Sequence, residues 1–171
     1  MPRYCAFLPV ESPQLSLIEE LRRELDPLAL FVPAHVTVVF PFISTELPEN
    51  EIVKVVVDAA AQFGPMETAA LRCSFEPDGA IQLLLLDAEN AVQKLHSTMY
   101  SGILKSFLDP RFPYRPHMTI GRYTTHSRCG CEEAVARLTL PVKIRLRRVV
   151  LEEILDSEES RLIRNIVVSG G

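Results

Sequence analysis

Apolar positions along the chain follow two rhythms. Residues 3–8 (RYCAFL) crowd like a strand. Pro9 and Pro13 close that run before Leu15, Ile18, Leu21, Arg22 and Leu25 recur at three and four, which predicts a helix opening at Ser12 or Pro13. After Asp26-Pro27 a connection leads to residues 34–42, AHVTVVFPF, a buried-strand composition interrupted by one histidine and one threonine. Ser, Pro and acidic residues over 44–49 announce a helix over 51–63, ended by Gly64-Pro65. Residues 68–75 and 80–86 read as strands, and the turn Pro77-Asp78-Gly79 between them predicts a hairpin. Helical period then runs over 88–107. A Pro-rich connection, DPRFPYRP, leads to the strand PHMTIGRY at 116–123. The remainder predicts a short helix near 132–138, a long strand over 142–155, an acidic turn over 156–160 and a last strand over 162–168.

Strand, helix, Pro-containing connection and His/Thr strand thus occur twice in the same order. The repeat is one of architecture and not of letters, and it predicts two similar lobes related by approximate twofold symmetry. The expected class is α+β: one bilobal domain over residues 1–171, with two pseudo-symmetric antiparallel sheets and outer helices around a central cleft.

In a strand, side chains alternate between faces, so His35 and Thr37 share one face while Val36 and Val38 share the other; His117 and Thr119 stand likewise against Met118 and Ile120. Residues two apart lie roughly 6.6 Å from each other, within reach of one phosphate group. The bland alternative is a pair of half-solvated strands that happen to carry His and Thr, the latter a good strand former. A third match, His96-Ser97-Thr98-Met99, shows that letters alone are cheap. It falls in a helical segment where His96 and Thr98 diverge by roughly 200°, and His96 is expected to be partly exposed. The two strand copies share parity and occupy equivalent places in the repeat, which favours function. Two imidazoles across a cleft suit phosphodiester cleavage, one accepting a proton and the other donating one, with threonine hydroxyls on the nonbridging oxygens. That scheme needs no metal and no cofactor.

The paired HVTV and HMTI strands, within PAHVTVVFPF and RPHMTIGRY, resemble the 2H phosphoesterase superfamily and its bacterial 2',5' RNA ligase-like branch. The resemblance spans nearly the whole chain. It implies a bilobal fold, metal-independent chemistry at cyclic phosphates or 2',5' linkages, His35 and His117 as acid and base, and Thr37 and Thr119 as phosphate ligands. Arg122 occupies the place, five residues after the second histidine, where many relatives have arginine. Strict alternation sends it away from His117 and puts Tyr123 on the cleft side; a bulge at Gly121 reverses that parity. Arg115 has the same two readings, phosphate contact or solvent.

Bulk properties bound the partners. At 171 residues and 47% hydrophobic content the chain can bury one substantial core, and a net charge of -4 with pI ≈ 5.6 argues against coating long nucleic acid. A small nucleotide or an RNA end remains as substrate; a noncatalytic nucleotide or RNA-end binding protein of the same fold is the alternative. No apolar run approaches a membrane span, no signal peptide opens the chain, and Cys5, Cys73, Cys129 and Cys131 read as free thiols, so a cytoplasmic protein is expected. His126, Cys129 and Cys131 form a cluster of zinc-ligand types at an unusual spacing, against the plainer reading of a polar turn. Tyr4, Phe7, Phe40 and Phe42 are candidates for base stacking or for core. Lys143, Arg145 and Arg147 make one strand face basic, either a solvated face or an approach to the cleft. Oligomeric state is silent.

Overall fold

The computed structural model describes residues 1–87 and 89–169. Its strands are β1 (Arg3–Pro9), β2 (His35–Ile43), β3 (Met66–Phe75), β4 (Ala80–Leu86), β5 (His117–Arg122), β6 (Val142–Leu146), β7 (Arg148–Ile154) and β8 (Ser160–Val167). Its helices are α1 (Leu15–Leu25), α2 (Glu49–Ala60), α3 (Ala91–Met99) and α4 (Arg128–Val135), with short 3-10 turns at Pro27–Leu30 and Ile103–Phe107. Two antiparallel four-stranded sheets result, in the orders β2-β1-β7-β8 and β5-β4-β3-β6. The class is α+β, as expected.

The repeat is visible in the pairing. β2 lies on β1 with His35 opposite Pro9 and Thr37 opposite Phe7; β5 lies on β4 with His117 opposite Leu84 and Thr119 opposite Gln82. Each half also lends its helix to the other half's His/Thr strand, for α1 packs on β5, α3 packs on β2, and β2 touches β5. Val36, Val38, Met118 and Ile120 are buried in the one apolar core that joins both sheets, together with Ile18 and Leu21 of α1 and Leu95 and Met99 of α3.

Local chemistry explains where elements end. Asp26 closes α1 by donating its N–H to the Arg22 carbonyl, and its carboxylate accepts from Leu28 N at 3.0 Å, while Pro27 cannot extend the helix. Gly79 turns the β3–β4 hairpin at φ +85, a conformation open to glycine.

Three expectations are corrected. The strand over 142–155 is two strands in different sheets, β6 on β3 and β7 on β1. The alternation breaks where Arg147 and Arg148 are both exposed, and there the chain changes sheet. The helix over 88–107 stops at Met99, where Ser101 Oγ donates back to the Thr98 carbonyl at 2.7 Å; Ala88, at its expected start, lies outside the described residues. The helix expected at 132–138 begins four residues earlier. Thr124 N donates to Ser127 Oγ at 2.8 Å and Ser127 N to Thr124 Oγ1 at 3.3 Å, a reciprocal pair that turns the chain into α4. That start leaves Cys129 exposed and Cys131 in the core, so the His126/Cys129/Cys131 cluster does not converge. Among the described residues no helix is long and apolar enough to cross a membrane.

Candidate active site

His35 and Thr37 are half-buried on one face of β2, with Val36 and Val38 buried behind them; His117 and Thr119 stand in the same way against Met118 and Ile120. Both imidazoles are anchored alike. His35 Nδ1 donates to the carbonyl of Pro33 at 2.7 Å and His117 Nδ1 to that of Arg115 at 2.7 Å, two residues upstream in each case. This pairing fixes the tautomer and leaves each Nε2 as the free nitrogen. Burial pushes His35 down to about 4, against the upward pull of the Pro33 carbonyl, and Arg22 and His117 push further the same way. His117 is lowered too, again first by burial, while the Arg115 carbonyl, Glu76 and Asp78 pull it back up. Phe7, opposite Thr37, holds its ring 4.8 Å from that of His35.

Thr37, His117 and Thr119 line a cleft of about 620 Å³; His35 stands beside that cavity on the face it shares with Thr37. Both motif strands carry a bulge at the third residue past the histidine. Phe7 pairs with Thr37 but Ala6 with Val39, and Gln82 pairs with Thr119 but Ile81 with Gly121. Val38 and Ile120 are therefore the extra residues, and parity reverses after them.

Parity reversal decides two candidates. Arg122 enters the cleft, exposed and without an ion-pair partner among the described residues. Tyr123, expected on the cleft side by strict alternation, turns away: its ring packs on Phe75 at 5.2 Å, its hydroxyl donates to the Glu76 carbonyl at 2.9 Å, and Arg128 sits over it. Arg115 lines the cleft but is engaged, donating to Glu76 at 2.8 Å and to Gln82 Oε1 at 3.3 Å. The position equivalent to Arg122 on β2 is Phe40, 42% exposed and also in the cleft wall. Tyr4, Phe7 and Phe42 are core. The basic face of β6 lies elsewhere, in a separate depression where Arg145 pairs with Glu67 at 2.8 Å.

Sequence reasoning missed the clamp on β2, the edge strand of its sheet. Three side chains satisfy its outer backbone groups: Tyr114 Oη donates to the Thr37 carbonyl at 2.8 Å, His96 Nδ1 to the carbonyl of the bulged Val38 at 2.8 Å, and Tyr100 Oη accepts from Phe40 N at 3.1 Å. His96, expected to be partly exposed, is 3% exposed and stacks on Tyr114 at 3.8 Å. No period in the sequence signals a strand edge, so nothing local could have found the clamp.

Residues 9–158, which include both motifs, match the 2'-5' RNA ligase superfamily. A candidate phosphoesterase of Geobacillus thermodenitrificans is 28% identical over 136 residues, 79% of this chain and 73% of that protein; another, of Geobacillus kaustophilus, is 28% identical over 102 residues, 59% and 58% of the two lengths. Among solved structures, TT0787 of Thermus thermophilus superposes with a TM-score of 0.68 at 12% identity over 98% of both chains. LigT of E. coli, complexed with 3'-AMP, superposes with a TM-score of 0.62 at 13% identity over 98% of this chain and 99% of its own. On the extent of that match and the shared fold, the chain belongs to the 2'-5' RNA ligase superfamily, the 2H phosphoesterases.

Proposed function

We propose that the chain is a phosphodiesterase of cyclic phosphates or 2',5' linkages on a small nucleotide or an RNA end, with His35 and His117 as base and acid. The observation that carries this reading is the matched anchoring of both imidazoles, each Nδ1 on a carbonyl two residues upstream, beside a same-face threonine. In hydrolysis of a 2',3'-cyclic phosphate, a water oxygen forms the new bond to phosphorus and one ribosyl P–O bond breaks. His35 Nε2 takes the water proton and His117 Nε2 gives one to the departing ribose oxygen. Thr37 and Thr119 donate to the nonbridging oxygens, and Arg122, the unengaged cation, offsets their charge.

The two environments favour that division of labour. His35, held at about 4, is neutral near pH 7 and able to accept a proton. His117 is lowered as well, first by burial, but Glu76 and Asp78 pull against that shift, and a bound phosphate anion would add to their pull toward the protonated form. Phe40 offers a face on which a base can stack, and LigT, of the same fold, is known complexed with 3'-AMP.

Incubation with 2',3'-cyclic AMP, followed by 31P NMR, tests the proposal. The monoester should accumulate, turnover should persist in EDTA because each role falls to a side chain, and His35→Ala and His117→Ala should each lower kcat by about two to four orders of magnitude. Binding without turnover would assign the chain to the noncatalytic alternative.

A further inference from the structure

Arg22 is 1% exposed, on the face of α1 that meets the core. Its Nη1 donates to the Val32 carbonyl at 2.9 Å and to Glu19 Oε2 at 3.2 Å, and its Nη2 to Asp26 Oδ2 at 3.0 Å. Among the described residues, its Nε is the buried side-chain nitrogen left without a partner. Glu19 in turn accepts from Ala34 N at 2.6 Å, and the Ala34 carbonyl accepts from Val10 N at 2.9 Å. Every strong backbone group from Val32 to Ala34 that these bonds reach is thereby fixed, and the Pro33 carbonyl is the one presented to His35 Nδ1.

The second motif solves the same task without a buried cation. Pro116 O takes Leu85 N at 3.1 Å, matching Ala34 and Val10, but Tyr114 stands where Val32 would be and Arg115 faces the cleft. A guanidinium taken out of water beside the buried Asp26 carboxylate, with Glu19 only partly covered, carries a desolvation cost that an apolar side chain would not. That asymmetry calls for a role beyond packing.

We propose that Arg22, through Glu19 and Asp26, is a positioning residue for His35: it locks residues 32–34 so that the Pro33 carbonyl holds the imidazole in the tautomer with Nε2 free. The inference rests on the two-histidine reading above. The charged and titratable groups acting on His35 are Arg22 and Asp26 from α1 and its cap and His117 from β5, while β1 presents the Phe7 ring. Of these Arg22 and His117 lower its proton affinity and Asp26 raises it, so removal of Arg22 alone should move the His35 midpoint upward.

The test compares the full chain with Arg22→Met and with Arg22→Met/Asp26→Asn, which keeps a cap acceptor and balances charge should the single variant not fold. Two-bond 1H–15N spectra report the His35 tautomer and midpoint, and 2',3'-cyclic AMP reports kcat and KM. We expect, in whichever variant is folded, mixed His35 tautomers and kcat lower by roughly 10- to 100-fold with KM little changed, the usual loss when a supporting partner is removed. In the single variant the His35 midpoint should rise while that of His117 stays. A folded variant with a wild-type His35 tautomer and wild-type kcat would overturn the proposal. Because the tautomer is read without turnover, failure of the wild type to cleave the substrate would count against the phosphodiesterase reading alone.

Discussion

A histidine ring serves as catalyst or as fastener according to where its two nitrogens go. His35 and His117 spend Nδ1 on a carbonyl of their own approach segment and leave Nε2 free, which is what the proposed acid and base require. His96 spends Nδ1 on a carbonyl of another element, Val38, and is stacked flat on Tyr114. His96→Ala should therefore destabilise the protein by about 1–3 kcal/mol, from an unsatisfied Val38 carbonyl and a void beside Tyr114. Urea unfolding of the variant measures this, and an unchanged midpoint would show that the bond contributes nothing. Period-two parity made His35, Thr37, His117 and Thr119 legible, because alternation is a local property of a strand. Arg122 and Tyr123 were not, since their sides depend on a bulge, and a bulge is defined only against the partner strand.

At the level of elements, the bulges and the crossed helices form one device. Gly121 follows the extra residue Ile120, and α1 lies so close over it that a Cβ there would come 2.5 Å from Leu25 Cβ and 3.3 Å from Ile81 Cδ1. Gly121→Ala should push α1 off β5 and cost about 1–3 kcal/mol by overpacking, with a rise in KM because Arg122 is the next residue. Thermal unfolding and steady-state kinetics check both parts; a variant as stable as the parent would mean α1 yields freely. The β3–β4 hairpin was legible from Pro77-Asp78-Gly79, whose turn chemistry is local. The change of sheet at Arg147-Arg148 was legible only as two exposed positions in succession, which an unbroken strand reading over 142–155 passed over. Nothing local indicated that α1 packs on β5 and α3 on β2, for that is decided by the packing of whole lobes.

Over the whole molecule, the burial of its histidines ties folding to pH. His35 is held at about 4, and His96 and His117 are also lowered, burial being the first cause for each. The unfolded chain, with ordinary histidines near 6.5, therefore binds more protons than the folded one in the window between the lowered values and about 6.5. Stability rises with pH wherever the unfolded state binds more protons, so the contribution is complete above about pH 6.5 and is lost as pH falls toward 4. Glu152 acts in the opposite sense: burial raises its carboxyl, so its share is present below the ordinary carboxylate range and lost as pH rises through the raised value. Glu76 and Asp109, both lowered first by side-chain hydrogen bonds, act with the histidines at the acid end, so Glu152 is outweighed and stability should fall on acidification. The urea midpoint should fall between pH 7 and pH 4.5, and His35→Ala should flatten the curve in that window by about 1–3 kcal/mol, the worth of its depressed proton affinity after allowance for partial exposure. Parallel stability curves for the wild type and His35→Ala would show that His35 titrates alike in the folded and unfolded chains, and the neutral base assigned to it would lose its physical ground.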